Sequence, residues 1–294
     1  MYVILHHQIE ITMKKIILLT AILISSFSFA EISNSEKSIL ISLYNATNGS
    51  NWNTKWDLNQ PVSKWFGVKV DNDKVIELDL SNNNLKGVLP TEIGGLKNVR
   101  VISFFKNELT GAIPSSIGEM KSLQVLNLSF NQLSGEIPAS IANASNLVSV
   151  ELFMNALSGS IPSTINKLNK LELLSLYNNQ LSGELPAELF ALQSIKVLQL
   201  NSNKFTGKLS PDVANLKTLE SLVLFDNNLA GAIPFELEKL NNLKEMNVSY
   251  NNFNGFVSKT LAEKDTFKMT MVNEFGVAST LNVVDKDKAI VNEE

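Results

Sequence analysis

Apolar and polar residues recur along this chain with a period of 24 residues. The pattern L-x-x-L-x-L-x-x-N-x-L-x-G-x-[IL]-P starts at Val75, Val99, Leu123, Leu147, Leu171, Ile195, Leu219 and Leu243, with no insertion or deletion between units. The ninth place is always Asn (Asn83, Asn107, Asn131, Asn155, Asn179, Asn203, Asn227, Asn251), and the thirteenth is always Gly, from Gly87 to Gly255. A constant period of this length is the signature of stacked supersecondary units, none of which can enclose its own apolar set.

Each place in the unit has a physical reason. In the third unit Leu126 and Leu128 alternate with Asn127, which predicts a short strand with Asn127 facing out. Leu123 precedes that strand, Leu133 and Ile137 turn the chain inward behind it, and Ile141 covers the back of the coil. Where the chain leaves the strand, backbone groups would be buried without partners. An Asn amide offers donors and an acceptor together, so a column of Asn is expected to bridge successive coils. The Gly permits dihedrals closed to other residues, and the Pro fixes φ in an extended stretch.

Units such as LNLSFNQLSGEIPASIANASN (Leu126 to Asn146) resemble the plant-type class of leucine-rich repeats. That class occurs in plant receptor-kinase ectodomains, in polygalacturonase-inhibiting proteins and in exported bacterial relatives. The resemblance spans residues 75–266 and implies an α/β repeat solenoid: a right-handed arc with a parallel β-sheet on its concave side and an irregular or 3-10 convex side. Ser210 and Ser258 stand where the class has Pro, and Lys264 stands in an otherwise apolar column, so the pattern weakens toward the end. The class fixes a fold more firmly than a function.

A solenoid end exposes raw core and needs a cap. Residues 31–74 contain Trp52, Trp56 and Trp65 and are expected to form the N-terminal cap. Ser35 to Tyr44 reads as an amphipathic helix with Ile39, Leu40 and Leu43 inward, and Asn48 to Asn51 as a turn. Trp65-Phe66-Gly67-Val68 resembles the W-x-G-V segment of plant-type caps, although the cysteine pair of those caps is missing. Sugar stacking is the functional alternative for the tryptophans. Asp71-Asn72-Asp73 lacks the spacing of a calcium loop and reads as a hairpin turn. Residues 267–294 break the repeat and are expected to form a C-terminal cap, with Val283-Val284 as strand and a charged tail after it.

The N-terminus reads as a signal peptide over residues 1–30, with an uncleaved membrane anchor as the rival reading. Lys14 and Lys15 precede an apolar run from Ile16 to Ile24, and Ser28-Phe29-Ala30 is a small-x-small cleavage site. Met13 is the natural start of such a signal, which leaves residues 1–12 upstream of it. Removal of 1–30 takes away Glu10, Lys14 and Lys15 and shifts the net charge from -4 to about -5. No later stretch has the roughly 20 apolar residues of a membrane span. The mature chain is therefore expected to be exported: secreted, periplasmic or on the cell surface.

Composition narrows the chemistry. Cysteine is absent, and the only histidines, His6 and His7, precede the signal. Thiolate metal sites, cysteine nucleophiles and the commonest general base are thus missing from the mature chain, and no cofactor or metal site is expected. A net charge of -4 without a basic run excludes nucleic acid as a natural partner. Paired carboxylates can hydrolyse glycosides, but no second carboxylate faces Glu151 in this register. The reading is binding without catalysis.

The third, fifth, seventh and eighth places of each unit are expected to face the concave side. They carry Phe105, Phe130, Phe153, Tyr177 and Phe225, with Glu151 among them. A contiguous aromatic strip marks an interaction surface, and aromatics dominate interface hot spots. Strands stacked about 4.8 Å apart give eight units a face roughly 35 Å long. The expected ligand is a protein or peptide. The alternatives are a carbohydrate-binding surface or adhesin protein, and rings that pack on one another merely to stiffen the face.

Overall fold

The computed structural model describes residues 32–265, 269–272 and 277–284. The signal reading (1–30) and the charged tail after Val284 lie outside these residues.

The architecture is an α/β repeat solenoid. A nine-stranded sheet forms its concave side, beginning with the antiparallel hairpin Val68–Asp71 and Lys74–Asp79. Parallel three-residue strands then follow, one per coil: Val101–Ser103, Val125–Asn127, Ser149–Glu151, Leu173–Ser175, Val197–Gln199, Ser221–Val223 and Glu245–Asn247. Registers step by 24 residues, as in Leu126↔Val150 and Leu174↔Leu198. The hairpin turns on Asn72 and Asp73, both at positive φ, the backbone that suits a two-residue turn between twisted strands.

The convex side is more regular than expected. A second parallel sheet of six strands runs from Lys86–Val88 to Lys204–Thr206, followed by the pair Ala230–Ala232 and Asn252–Asn254. The repeated Gly makes this sheet: it sits at φ 79° in Gly135 and 83° in Gly183, a backbone that side chains with a Cβ rarely adopt. Each of the first seven coils then closes through one 3-10 turn after its Pro or Ser, such as Ala139–Asn143. Ser and Thr side chains stitch these turns together: Ser140 Oγ donates to Ser115 O at 2.7 Å, and Thr164 Oγ1 to Ala139 O at 2.9 Å.

The apolar residues of all coils form one continuous core, with Leu123, Leu126, Leu128 and Leu133 fully buried and an apolar residue buried at each of these places in every unit. Burying such side chains contributes roughly 1.5–3 kcal/mol each before entropy is counted. Beside this apolar column runs the Asn ladder. Asn131 Oδ1 accepts from Leu109 N of the preceding coil at 3.0 Å, while its Nδ2 donates to Phe104 O and Leu128 O at 2.9 and 3.0 Å. Asn155 repeats this one coil on, so Leu128 O takes a donor from both Asn131 and Asn155. The same sharing passes through Leu152, Leu176, Leu200 and Leu224.

Both ends of the ladder are closed by other groups. Asn83 exchanges hydrogen bonds with the backbone of Thr54, its Oδ1 accepting from Thr54 N and its Nδ2 donating to Thr54 O. At the far end the buried carboxylate of Asp265 accepts from Val248 N, Ser249 Oγ and Met269 N. Lys264, the departure from the apolar column, donates its ammonium to Leu243 O.

Helix Asn34–Ala46 starts on Ser33, whose hydroxyl accepts from Glu36 N, and buries Ile39, Leu40 and Leu43. Tyr44, Trp52, Trp56 and Trp65 pack in sequence, with ring centroids 4.6–5.9 Å apart. All three tryptophans are buried, and each indole N–H donates to a backbone carbonyl: Trp52 to Thr47, Trp56 to Phe66, Trp65 to Asp57 and Gln60. None of these rings has a face open for a sugar. Beyond the last coil, Asn282–Val284 pairs in parallel with Phe256–Ser258.

Candidate ligand-binding face

The fifth-place residues form a polar ladder down the middle of the concave sheet. Ser81 Oγ donates to Asp79 at 2.6 Å and lies 2.8 Å from Ser103 Oγ; Asn127 Nδ2 donates to Glu151 Oε2 at 3.2 Å; Ser175 Oγ donates to Gln199 Oε1 at 2.9 Å. Glu151 Oε1 also accepts from Ser149 Oγ at 3.0 Å. A polar face bonded within itself stays rigid and presents a fixed pattern.

The aromatic side chains stand along the edge where the strands end. Phe105 meets Phe130 edge-on at 5.3 Å, Phe130 meets Phe153 at 5.5 Å, and Phe153 stacks on Tyr177 at 4.4 Å with planes 11° apart. Four of the predicted site residues thus form one ring ladder across four coils. Phe225 is not part of it: the next coil carries Asn201, and Phe225 pairs instead with Tyr250 at 5.1 Å. The strip is two clusters, not one run. The rings do pack on one another, yet Phe130 stays 38% exposed and Tyr250 43%, and the others are half-buried, so stiffening and presentation coexist.

Phe130 and Tyr250 sit at the eighth place, and there the preceding Ser129 and Ser249 are buried. The eighth place also has a backbone the repeat pattern did not reveal. Lys106, Phe130, Met154, Asn178, Ser202, Asp226 and Tyr250 all have φ between 53° and 58°. The ladder explains it: this turn lets the eighth N–H donate to the next coil's seventh carbonyl, as Phe130 N does to Phe153 O at 3.0 Å. The geometry is imposed by coil stacking whatever residue stands there, and it aims that side chain outward.

A shallow concavity of about 370 Å³ lies at the foot of the ring ladder, lined by Glu151, Phe153, Leu173, Ser175, Tyr177, Gln199 and Asn201. Burial, and after it the negative charge of Glu151, push the Tyr177 phenol above its ordinary value. The site therefore brings together Glu151, Phe153 and Tyr177 of the predicted set, with Phe105 and Phe130 adjoining along the ridge.

The opposite edge of the sheet carries a charge ladder that sequence reasoning missed. Lys196 pairs with Glu172 at 2.7 Å and Lys244 with Glu220 at 2.5 Å, one coil apart in each case. The hydrogen bond and charge of Glu172 raise the Lys196 ammonium, and those of Lys244 lower the Glu220 carboxyl. Opposite signs alternate at the second place of successive units, which was the signal available in the sequence. Among the described residues no group of three or more His, Asp or Glu is arranged to hold a metal ion, and no helix is long and apolar enough to cross a membrane.

Comparison with known proteins agrees with this geometry. The "Leucine rich repeat" family profile matches residues 73–133, and a second leucine-rich-repeat profile matches 170–192 and 194–216. The chain carries leucine-rich repeats and folds as a repeat solenoid. It resembles the ectodomain of the Arabidopsis receptor kinase HAESA solved with an N-terminally extended IDA peptide hormone (28% identity, 86% of this chain, 42% of that one, TM-score 0.69). It also resembles the plant peptide hormone receptor RGFR1 in complex with RGF2 (30% identity, 70% of this chain, 32% of that one, TM-score 0.62). A leucine-rich-repeat protein of Leptospira interrogans is similar as well (28% identity, 73% of this chain, 51% of that one, TM-score 0.54). The chain spans from about a third to about half of the length of these proteins. No curated protein matches its sequence.

Proposed function

We propose that this is an exported leucine-rich-repeat protein of the plant-type, 24-residue class, a bacterial relative of the receptor ectodomains, that binds another protein or a peptide through its concave face. The observation that carries the reading is the half-exposed ring ladder Phe105–Phe130–Phe153–Tyr177 beside an internally bonded polar sheet. Rings already fixed by their neighbours lose little side-chain freedom on binding, which favours them as anchors. The likeness to two receptors solved with peptide hormones supports a proteinaceous ligand, and the likeness to the Leptospira protein supports a bacterial setting. Export rests on the basic and apolar pattern of residues 1–30. In this proposal residues 31–74 serve as the N-terminal cap of the array and 267–294 as its C-terminal cap and tail.

The chemistry favours binding over turnover. The acid groups of this face stand singly or within ion pairs such as Lys69–Glu77, without the facing carboxylates of a glycosidase. The test is capture of partner protein from culture medium and host extracts by the purified protein and by its Phe153→Ala/Tyr177→Ala variant. Capture should fall at least tenfold while thermal unfolding shifts by no more than a few degrees. Undiminished capture would refute the concave-face reading, and a partner identified as glycan on a glycan array would replace it with the carbohydrate one.

A further inference from the structure

The third, fifth and seventh places of the five central coils, Val125 to Phe225, hold fifteen side chains, and Glu151 alone among them is charged. Its carboxylate is met by two neutral donors, Asn127 Nδ2 at 3.2 Å and Ser149 Oγ at 3.0 Å. Among the described residues no lysine or arginine pairs with it, whereas Lys196 and Lys244 on the opposite edge are committed to Glu172 and Glu220. A negative charge is thus held in the middle of the face with no paired counter-charge among the described residues. It borders the concavity that also contains Tyr177, Gln199 and Asn201. Phe153 stacks on Tyr177, and the following place in that column is Asn201 in place of another ring, so the ring ladder ends there.

We infer that this concavity receives a basic side chain of the partner, specifically an arginine guanidinium; the inference rests on the concave-face reading above. The carboxylate supplies the complementary charge, the Tyr177 ring a surface on which a planar cation stacks, and the amides of Gln199 and Asn201 further acceptors. A guanidinium uses all three, because it is planar, weakly hydrated and carries five N–H donors in a fixed fork. An ammonium would satisfy the charge alone. An acidic ligand group would meet the Glu151 charge with no cation to offset it, so the partner's contacting segment is basic at this point.

Selection of random twelve-residue peptides displayed on phage, using the purified protein as bait, tests this. Selected peptides should carry arginine. The affinity of a selected peptide should fall about tenfold or more for Glu151→Gln, a substitution that keeps the shape and the acceptor for Asn127. Replacing that arginine with neutral citrulline should cost a similar factor against the original protein and little against Glu151→Gln. Peptides without a basic residue, equal affinity for Glu151→Gln, a citrulline loss that persists in that variant, or no enriched peptide at all would overturn the arginine site. The Phe153→Ala/Tyr177→Ala variant separates the two readings. If it loses the peptides while Glu151→Gln keeps them, the face binds and the arginine site falls. If it keeps them too, the concave-face reading falls as well.

Discussion

Replacing Asn131 by Ala should cost about as much as emptying a core site, although Asn131 is polar. Its Oδ1 is the acceptor for Leu109 N, a buried donor that the change would orphan. Its Nδ2 also serves Phe104 O and Leu128 O, which keep one donor each, from Asn107 and Asn155. An orphaned buried N–H costs about 1–3 kcal/mol and each of the two further lost hydrogen bonds about 0.5–1.5, which puts the loss at roughly 2–6 kcal/mol. Half-buried Asn146 donates to Lys121 O and accepts from Lys170 Nζ, both at 2.7 Å, but its loss orphans no buried group, and its change to Ala should cost about 1 kcal/mol or less. Urea unfolding followed by circular dichroism measures both. The pair Asn131→Ala/Asn155→Ala strips Leu128 O of both side-chain donors and should destabilise by more than the two single losses added, since the sites share a partner. A loss below about 1 kcal/mol for Asn131→Ala, or strict additivity in the pair, would refute the shared ladder.

Three other outcomes follow from the same geometry. Gly67→Ala should lower stability by about 3 kcal/mol or more in the same urea assay: φ is 72° there, and a Cβ would meet Asp79 O where the first hairpin joins the array. Met154 has φ 53°, so Met154→Val should destabilise by about 1–2 kcal/mol and Met154→Gly should be neutral or stabilising; the reverse order would contradict the imposed turn. Removing the Glu151 charge by Glu151→Gln should let Tyr177 ionise at lower pH in an ultraviolet titration, though still above an ordinary tyrosine, because burial is the larger cause of its raised value. Since the folded value is raised, Tyr177's contribution to stability is whole below the ordinary tyrosine range and declines as pH rises through that range toward the folded value.

Much of the fold was legible because a fixed period leaves few ways to bury a fixed set of leucines. Leu126, Leu128 and Leu133 could only face inward, and Asn131 could only answer the backbone groups that turning buries. The second sheet was less legible, since the short outward stretch around Ser134 and Gly135 carries no strong apolar alternation and is held by neighbouring coils more than by its own residues. The positive φ of Phe130 and Met154 was invisible for a related reason: neither residue type prefers it, and the next coil's carbonyl enforces it. In the site, the ring positions were readable from their columns, but which rings touch was not. Asn201 interrupts the ladder, and Phe225 joins Tyr250 across the gap between a seventh and an eighth place. Glu172, Lys196, Glu220 and Lys244 were missed because the second place precedes the strand residues expected to face a ligand.

The most direct test of the binding face is photocrosslinking, with a benzophenone side chain installed in place of Phe153 or Tyr177 and, as a control on the opposite sheet, in place of Ser158. Partner protein should crosslink from the first two positions and not from the third. Crosslinks confined to Ser158, or equal at all three, would contradict the assignment of the concave side as the surface that binds.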